Sequence, residues 1–205
     1  MSRVLFCNIA YMKFYNGITQ DDRPINGGEY VRIHGDAEEK NNFRTDRDVV
    51  HGFVETHHHS DNANGMQPNQ IHIERIDKAF TNAEQIEDVT VFFCATPPLG
   101  KRIIVGWYKK ATVFRNRQFK EYFGDTHEFN IWARSEDAYL IPVDKRTFEV
   151  PRGKGAFGRS QLWYAEEAPD YVESALQYIK QTEDSRGMRY ERETAEHFRS
   201  CRILV

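Results

Sequence analysis

The sequence predicts an α+β fold: a small mixed or antiparallel β barrel, closed or half-closed, with short helices and a C-terminal helical extension. Short β-like runs separated by turn signals fill the first 150 residues. Few helical patterns interrupt them. After residue 165 the apolar spacing becomes helical. Strands first and helices last is the pattern of an α+β chain.

Arg3 to Ala10 reads as the first strand. Tyr11 to Gly17 is aromatic-rich and ends on the turn signal Asn16-Gly17. A loop with Pro24 and Asn26-Gly27-Gly28 leads to a short strand, Glu29 to Ile33, and His34 to Asp48 reads as polar loop. Val49 to Thr56 is a strand, His57 to Gln70 a long hairpin loop with Gly65 and Pro68, and Ile71 to Ile76 a half-buried strand of alternating character. Asp77 to Asp88 holds a short helix capped by Thr81 or Asn82. Val89 to Thr96, VTVFFCAT, is continuously apolar enough for a central strand buried on both faces.

Pro97-Pro98-Leu99-Gly100 turns the chain into two further strands, Lys101 to Tyr108 and Ala111 to Arg115. Glu128 to Ala133, Ala138 to Val143 and Thr147 to Val150 complete the β-like runs. Pro151 to Ser160 is a glycine-rich basic loop ending at Leu162-Trp163-Tyr164. Pro169 suits a helix first turn, and Tyr171, Val172, Ala175, Leu176 and Ile179 follow helical spacing up to Gly187, which breaks the helix. A second, highly charged helix spans Arg189 to Arg202. The expected division is a recognition domain at 1–165 and a helical extension at 166–205, or a linker to an effector domain.

At 205 residues the chain has room for one domain with a proper core. Aromatic content of 13% argues against disorder. No apolar run approaches the roughly 20 residues of a membrane span. The N-terminus reads as a strand and not a signal peptide, so a cytoplasmic location is expected. Cys7, Cys94 and Cys201 are far apart and form no CxxC pair, which leaves them as small core residues.

The net charge of −3 is not that of a non-specific nucleic-acid binder, but its distribution is uneven. Lys101 to Lys120 holds seven cations (Lys101, Arg102, Lys109, Lys110, Arg115, Arg117, Lys120) and no acid. Lys145, Arg146, Arg152, Lys154 and Arg159 form a second basic cluster. Within the first cluster, KRIIVGWYKKATVFR sets strand, aromatic pair, positive charge and strand in a row. That is the layout of a surface that stacks a flat ligand and holds phosphates. Successive strand residues face opposite sides, so only one of Trp107 and Tyr108 should face a ligand.

Other patterns carry less chemistry. Gly153, Gly155 and Gly158 match GxGxxG spacing, but no βαβ unit surrounds them. A basic loop gripping a nucleic-acid backbone fits them better. His57-His58-His59 with Asp61, and His51 and His72 nearby, resemble a metal cluster, although three adjacent residues cannot all face one ion in regular structure. A solvated loop is the better reading, with no metal and no cofactor implied. Pro169-Asp170 lacks the following Glu-x-Lys of a nuclease, and no GxSxG occurs. A binding module is favoured over an enzyme.

FCNIAYMKFYNG, INGGEYV, HGFV, IHIERI, VFFCATPPLGKRIIVGWYKKATVFR and AYLIPVDKRTFEVPRGKGAFGRSQLWYA together resemble an N-terminal module of bacterial restriction and phage-defence proteins. Such proteins often place a nuclease or NO-VEIN-type domain after it. The resemblance covers roughly residues 3–165, and IVGWYKKATVFR is its most specific piece. It implies, by analogy, a small PUA-like barrel of the PUA, EVE and SRA group that takes a flipped base into an aromatic pocket.

On that implication the chain is a non-catalytic module reading a modified base in duplex DNA. Trp107 or Tyr108 stacks the base, Tyr11, Tyr15 and Trp163 complete the cage, and Asn8 bonds the base edge. Lys109, Lys110, Arg115, Arg152, Lys154 and Arg159 contact phosphates. A C-terminal nuclease is the expected partner, and no membrane is involved. The rivals are an RNA-binding PUA-like module, a small metal-dependent nuclease or hydrolase, and a protein-interaction domain using the acidic helical tail.

Overall fold

A parallel pair of strands, buried on both faces, organises the structure. It is a computed structural model that describes residues 2–56, 70–122, 124–153, 155–158 and 160–201. Strand β1 (Val4–Asn8) lies parallel to β4 (Gln85–Ala95), with Phe6 opposite Phe92 and Asn8 opposite Cys94. Burial on both faces explains why VLFC and VFFCA read as unbroken apolar runs.

The remaining pairings are antiparallel. β2 (Thr45–Asp46) and β3 (Val49–Gly52) lead to β6 (Asp125–Arg134), β5 (Ile103–Tyr122), β4, β1 and finally β8 (Leu162–Trp163). β7 (Ala138–Leu140) also pairs with β5. Among the described residues this is one eight-stranded sheet, and it is open, with β2 and β8 at its edges. The architecture is thus α+β and mostly antiparallel, without the closure of the expected barrel.

Several local expectations change. Lys101 to Tyr108 and Ala111 to Arg115 are not two strands but parts of the 20-residue β5. Tyr108 pairs with Val91 and Ala111 with Val89, so three steps on β5 face two on β4. The extra residue is taken up by a bulge, with Lys110 at φ 48°. Glu29–His34 is helix α1 and not a strand. Its Glu29–Arg32 ion pair and Tyr30–His34 ring contact have helical spacing. Ile71 to Ile76 ends in a single 3-10 turn, Ile73–Arg75, which buries Ile71 and Ile73 without a ladder. The helix expected in 77–88 is one 3-10 turn, Lys78–Phe80, capped by Asp77.

The chain forms two compact units, Met1–Glu167 and Ala168–Val205. The second contains α2 (Pro169–Cys201), one helix that runs through Gly187. A single helical glycine costs about 1 kcal/mol relative to alanine, too little to break it. No helix among the described residues is long and apolar enough to cross a membrane.

Alternation along the strands sorts the aromatic residues of the first unit into two sets. Trp163, Phe6, Phe92, Trp107 and Tyr139 are register partners across β8, β1, β4, β5 and β7. Their rings meet in turn: Phe6 stacks on Phe92 at 4.7 Å, Phe6 meets Trp163 at 5.0 Å, and Trp107 meets Tyr139 at 5.0 Å. On the other face Leu5, Cys7, Val91, Phe93, Val105, Tyr108 and Ile131 form the main core. Phe43 sits there 5.4 Å from both Phe93 and Tyr108.

Candidate functional site

The expected aromatic cage is dispersed through the core. Trp107 and Tyr108 do face opposite sides of β5, but each is 0% exposed. Neither ring presents a free face to a ligand in this conformation. Tyr15 is fully buried and donates its hydroxyl to Ala10 O at 2.8 Å. Tyr11 is buried beneath the Arg146 guanidinium and bridges Ile25 through its backbone. Trp163 is 8% exposed and packs on Phe6 and Phe157. The Asn8 amide donates to Gln161 Oε1 at 2.6 Å, tying β1 to the segment before β8. The four aromatic rings and Tyr11 are buried in the core.

The expected phosphate track is largely neutralised. Lys101 pairs with Glu149 at 2.7 Å, Lys110 with Asp137 at 3.3 Å and Lys120 with Asp46 at 2.7 Å. Arg117 bridges Glu55 and Glu128. Arg115 is a structural clamp: it pairs with Glu74 at 2.6 Å and donates to the carbonyls of Phe80, Thr81 and Ala83. Lys109 is half-buried and also engaged. Arg152 is exposed. Lys154 and Arg159 lie outside the described residues.

The same holds for the histidine cluster, since His57 to His59 and Asp61 lie outside the described residues. His51 on β3 is half-buried against the Phe129 ring, and burial followed by the Lys120 charge holds its pKa down at about 4. His72 bonds Glu74 at 2.9 Å. Among the described residues no three histidine, cysteine, aspartate or glutamate side chains are placed to hold a metal ion.

What the fold does build is a groove at the carboxyl ends of the parallel pair. Its volume is about 670 Å³, in the usual range for a small-molecule site. One wall is Pro24, Ile25, Asn26, Gly28, Val31 and Arg32; the other is Thr96, Pro97, Pro98 and Gly100. Because β1 and β4 run the same way, the loops that follow them emerge on one side. The Tyr11–Ile25 bridge then brings 24–31 back alongside.

The Asn26-Gly27-Gly28 run is demanded by this geometry. Asn26 sits at φ 58° and donates to Thr96 O at 3.0 Å and Pro97 O at 3.2 Å, lashing the walls together. A Cβ on Gly27 would fall 2.4 Å from Val31 Cγ2 and 2.6 Å from Ala10 Cβ. The groove is lined by both apolar and polar groups, with three prolines, Ile25 and Val31 beside Asn26 and Thr96, and Arg32 as the charged residue of its lining. Leu99, 91% exposed, stands on the same turn as Pro97 and Pro98. Such walls can hold a planar ring, with the guanidinium at the rim for an anionic substituent.

A second polar cluster surrounds the 3-10 turn Glu38–Asn41. Glu39 is 9% exposed, and burial pushes its carboxyl up to about 7, helped by the charges of Glu55, Glu38 and Asp36. Asn42 and Asn130 brace the chain nearby, each exchanging two hydrogen bonds with the backbone of Phe53 and Val54 respectively.

From sequence, the first groove wall reads as a loop running into a strand at Glu29 to Ile33, and the second as the end of a strand and the turn Pro97 to Gly100. The available signals were the Asn-Gly-Gly run and the exposed leucine in a Pro-Pro-Leu-Gly turn, but nothing in the chain order says that they meet. Comparison with family models, with curated proteins and with solved structures finds no match for this chain.

Proposed function

We propose that this chain is a non-catalytic DNA-recognition module that reads a modified base in duplex DNA. We place the flipped base in the groove between Asn26 and Pro97, in place of a cage around Trp107. One observation carries the reading. The segments INGGEYV and VFFCATPPLGKRIIVGWYKKATVFR, which carry the resemblance to restriction and defence modules, supply eight of the ten groove-lining residues, all but Pro24 and Arg32. A third such segment, FCNIAYMKFYNG, supplies Ala10 beneath Gly27. On this reading the sheet is an opened version of the PUA-like barrel, and the protein is cytoplasmic. The helical extension leads to an effector such as a nuclease.

Fluorescence anisotropy tests it, with duplexes carrying methylated, hydroxymethylated or glucosylated bases beside the unmodified duplex. One modified duplex should bind at least about tenfold tighter, the level of about 1.4 kcal/mol of discrimination. Arg32→Glu and Leu99→Ala, both at solvent, should lower that affinity without lowering the melting temperature. Equal weak binding to all duplexes would sink the modified-base reading. A preference for structured RNA would select the RNA-binding alternative, and metal-dependent turnover would select the hydrolase.

A further inference from the structure

We propose that Arg102 and Arg152 form a binding site for one phosphodiester, where the start of β5 runs beside the loop after Val150. This rests on the DNA-recognition reading and deepens it by naming a point of backbone contact. Val150 N–H donates to Arg102 O at 2.9 Å and Glu149 bridges Ile103, so the two segments lie side by side. Arg152 follows two residues past that pairing and is exposed.

The Arg102 guanidinium is held in place. It lies over the Phe157 ring at 4.5 Å, and its Nη1 donates to Phe157 O at 3.4 Å. Phe157 is 1% exposed and touches Trp163, so this platform belongs to the aromatic core. Arg102 Nε is buried without a hydrogen-bond partner.

No acid pairs with Arg102 or Arg152 among the described residues, whereas Lys101, Lys110, Arg115, Arg117 and Lys120 each contact one. Glu167, which follows β8, reaches this loop at Gly155. Burial, and then the charge of Arg152, pull the Arg102 guanidinium below its ordinary pKa. The charge of the exposed Arg152 acts on the fixed Arg102 guanidinium, neither has an acid partner among the described residues, and like charges repel more where water is partly excluded. A bound anion removes it. The planar donor forks of arginine match phosphate oxygens.

The test is an NMR titration of the arginine Nε–H signals. The probes are a thymidine dinucleotide, its uncharged methylphosphonate analogue and inorganic phosphate. The dinucleotide should shift the Arg102 signal saturably at millimolar concentration, and the methylphosphonate should not. Arg152→Gln, at an exposed position, should abolish saturation with an unchanged melting temperature. Equal shifts from the dinucleotide and its methylphosphonate would overturn the site, as would a full response in Arg152→Gln. Inorganic phosphate binding as tightly as the dinucleotide would overturn the backbone assignment.

On duplex DNA, Arg152→Gln should reduce the slope of log K against log salt by about 1. An unchanged slope would count against the site. Loss of the preference for modified duplexes sinks the parent reading alone, and a failed titration beside an intact preference sinks the phosphate site alone.

Discussion

Replacing Glu39 by glutamine should stabilise the protein at alkaline pH and change it little in acid. Glu39 is 9% exposed, and burial followed by like charge from Glu55, Glu38 and Asp36 lifts its carboxyl from 4.5 to about 7, against the pull of its own backbone N–H. Between those values the folded chain keeps a proton that the unfolded chain has released. Stability therefore falls as pH rises through that window and stays lower above it. At about 1.4 kcal/mol per pH unit, the full cost at pH 8 is about 3 kcal/mol. Glutamine has nearly the shape of the protonated acid and no charge to bury. Urea unfolding of both proteins at pH 5 and pH 8 measures the difference. The advantage of the variant should grow by about 2–3 kcal/mol between the two pH values. Parallel behaviour of the two proteins would refute the argument that burial and like charge hold the Glu39 carboxyl protonated in the folded chain.

Trp107→Ala should destabilise by about 3–5 kcal/mol, read as a fall in melting temperature, because the ring is 0% exposed within the cross-strand aromatic row. Gly106→Ala should cost about 3 kcal/mol in denaturant unfolding, since its Cβ would lie 2.5 Å from Tyr139 O and 2.6 Å from Phe43 Cζ. Arg115→Ala should cost about 2–4 kcal/mol, because it strands Glu74 and three carbonyls, and it should leave the salt dependence of duplex binding unchanged.

The parts of the fold legible in the sequence are those whose environment is uniform along the segment. β1 and the Val91–Ala95 half of β4 are buried on both faces, so these runs are apolar throughout and read as strands, whereas the exposed Gln85, Glu87 and Asp88 hide the first half of β4 inside an expected helix. β5 reads as two strands because Lys109-Lys110 interrupts its apolar run, although a bulge at Lys110 carries the ladder across. The α1 segment reads as a strand, Glu29 to Ile33, with Tyr30, Val31 and Ile33 as its apolar residues. Only Val31 of these is buried, so β propensity had no sheet to act on.

For the site, alternation correctly set Trp107 and Tyr108 on opposite faces of β5. It could not show that both faces are covered. The acid-free stretch from Lys101 to Lys120 was a true feature of the chain, yet Asp46, Glu74, Asp137 and Glu149 reach it from other segments.

The sequence by itself determined the residue types, the strand-rich first unit, the facing of neighbouring side chains and the helical end. Each depends on local pattern and nearest-neighbour geometry. The tertiary structure alone decided that the aromatic residues are core, that most of the cations are neutralised and that residues 24–32 and 96–100 share a groove. Burial, ion pairing and concavity all depend on which distant segments are neighbours. Here the parallel pairing of β1 with β4 sets that arrangement by sending both following loops to the same edge of the sheet.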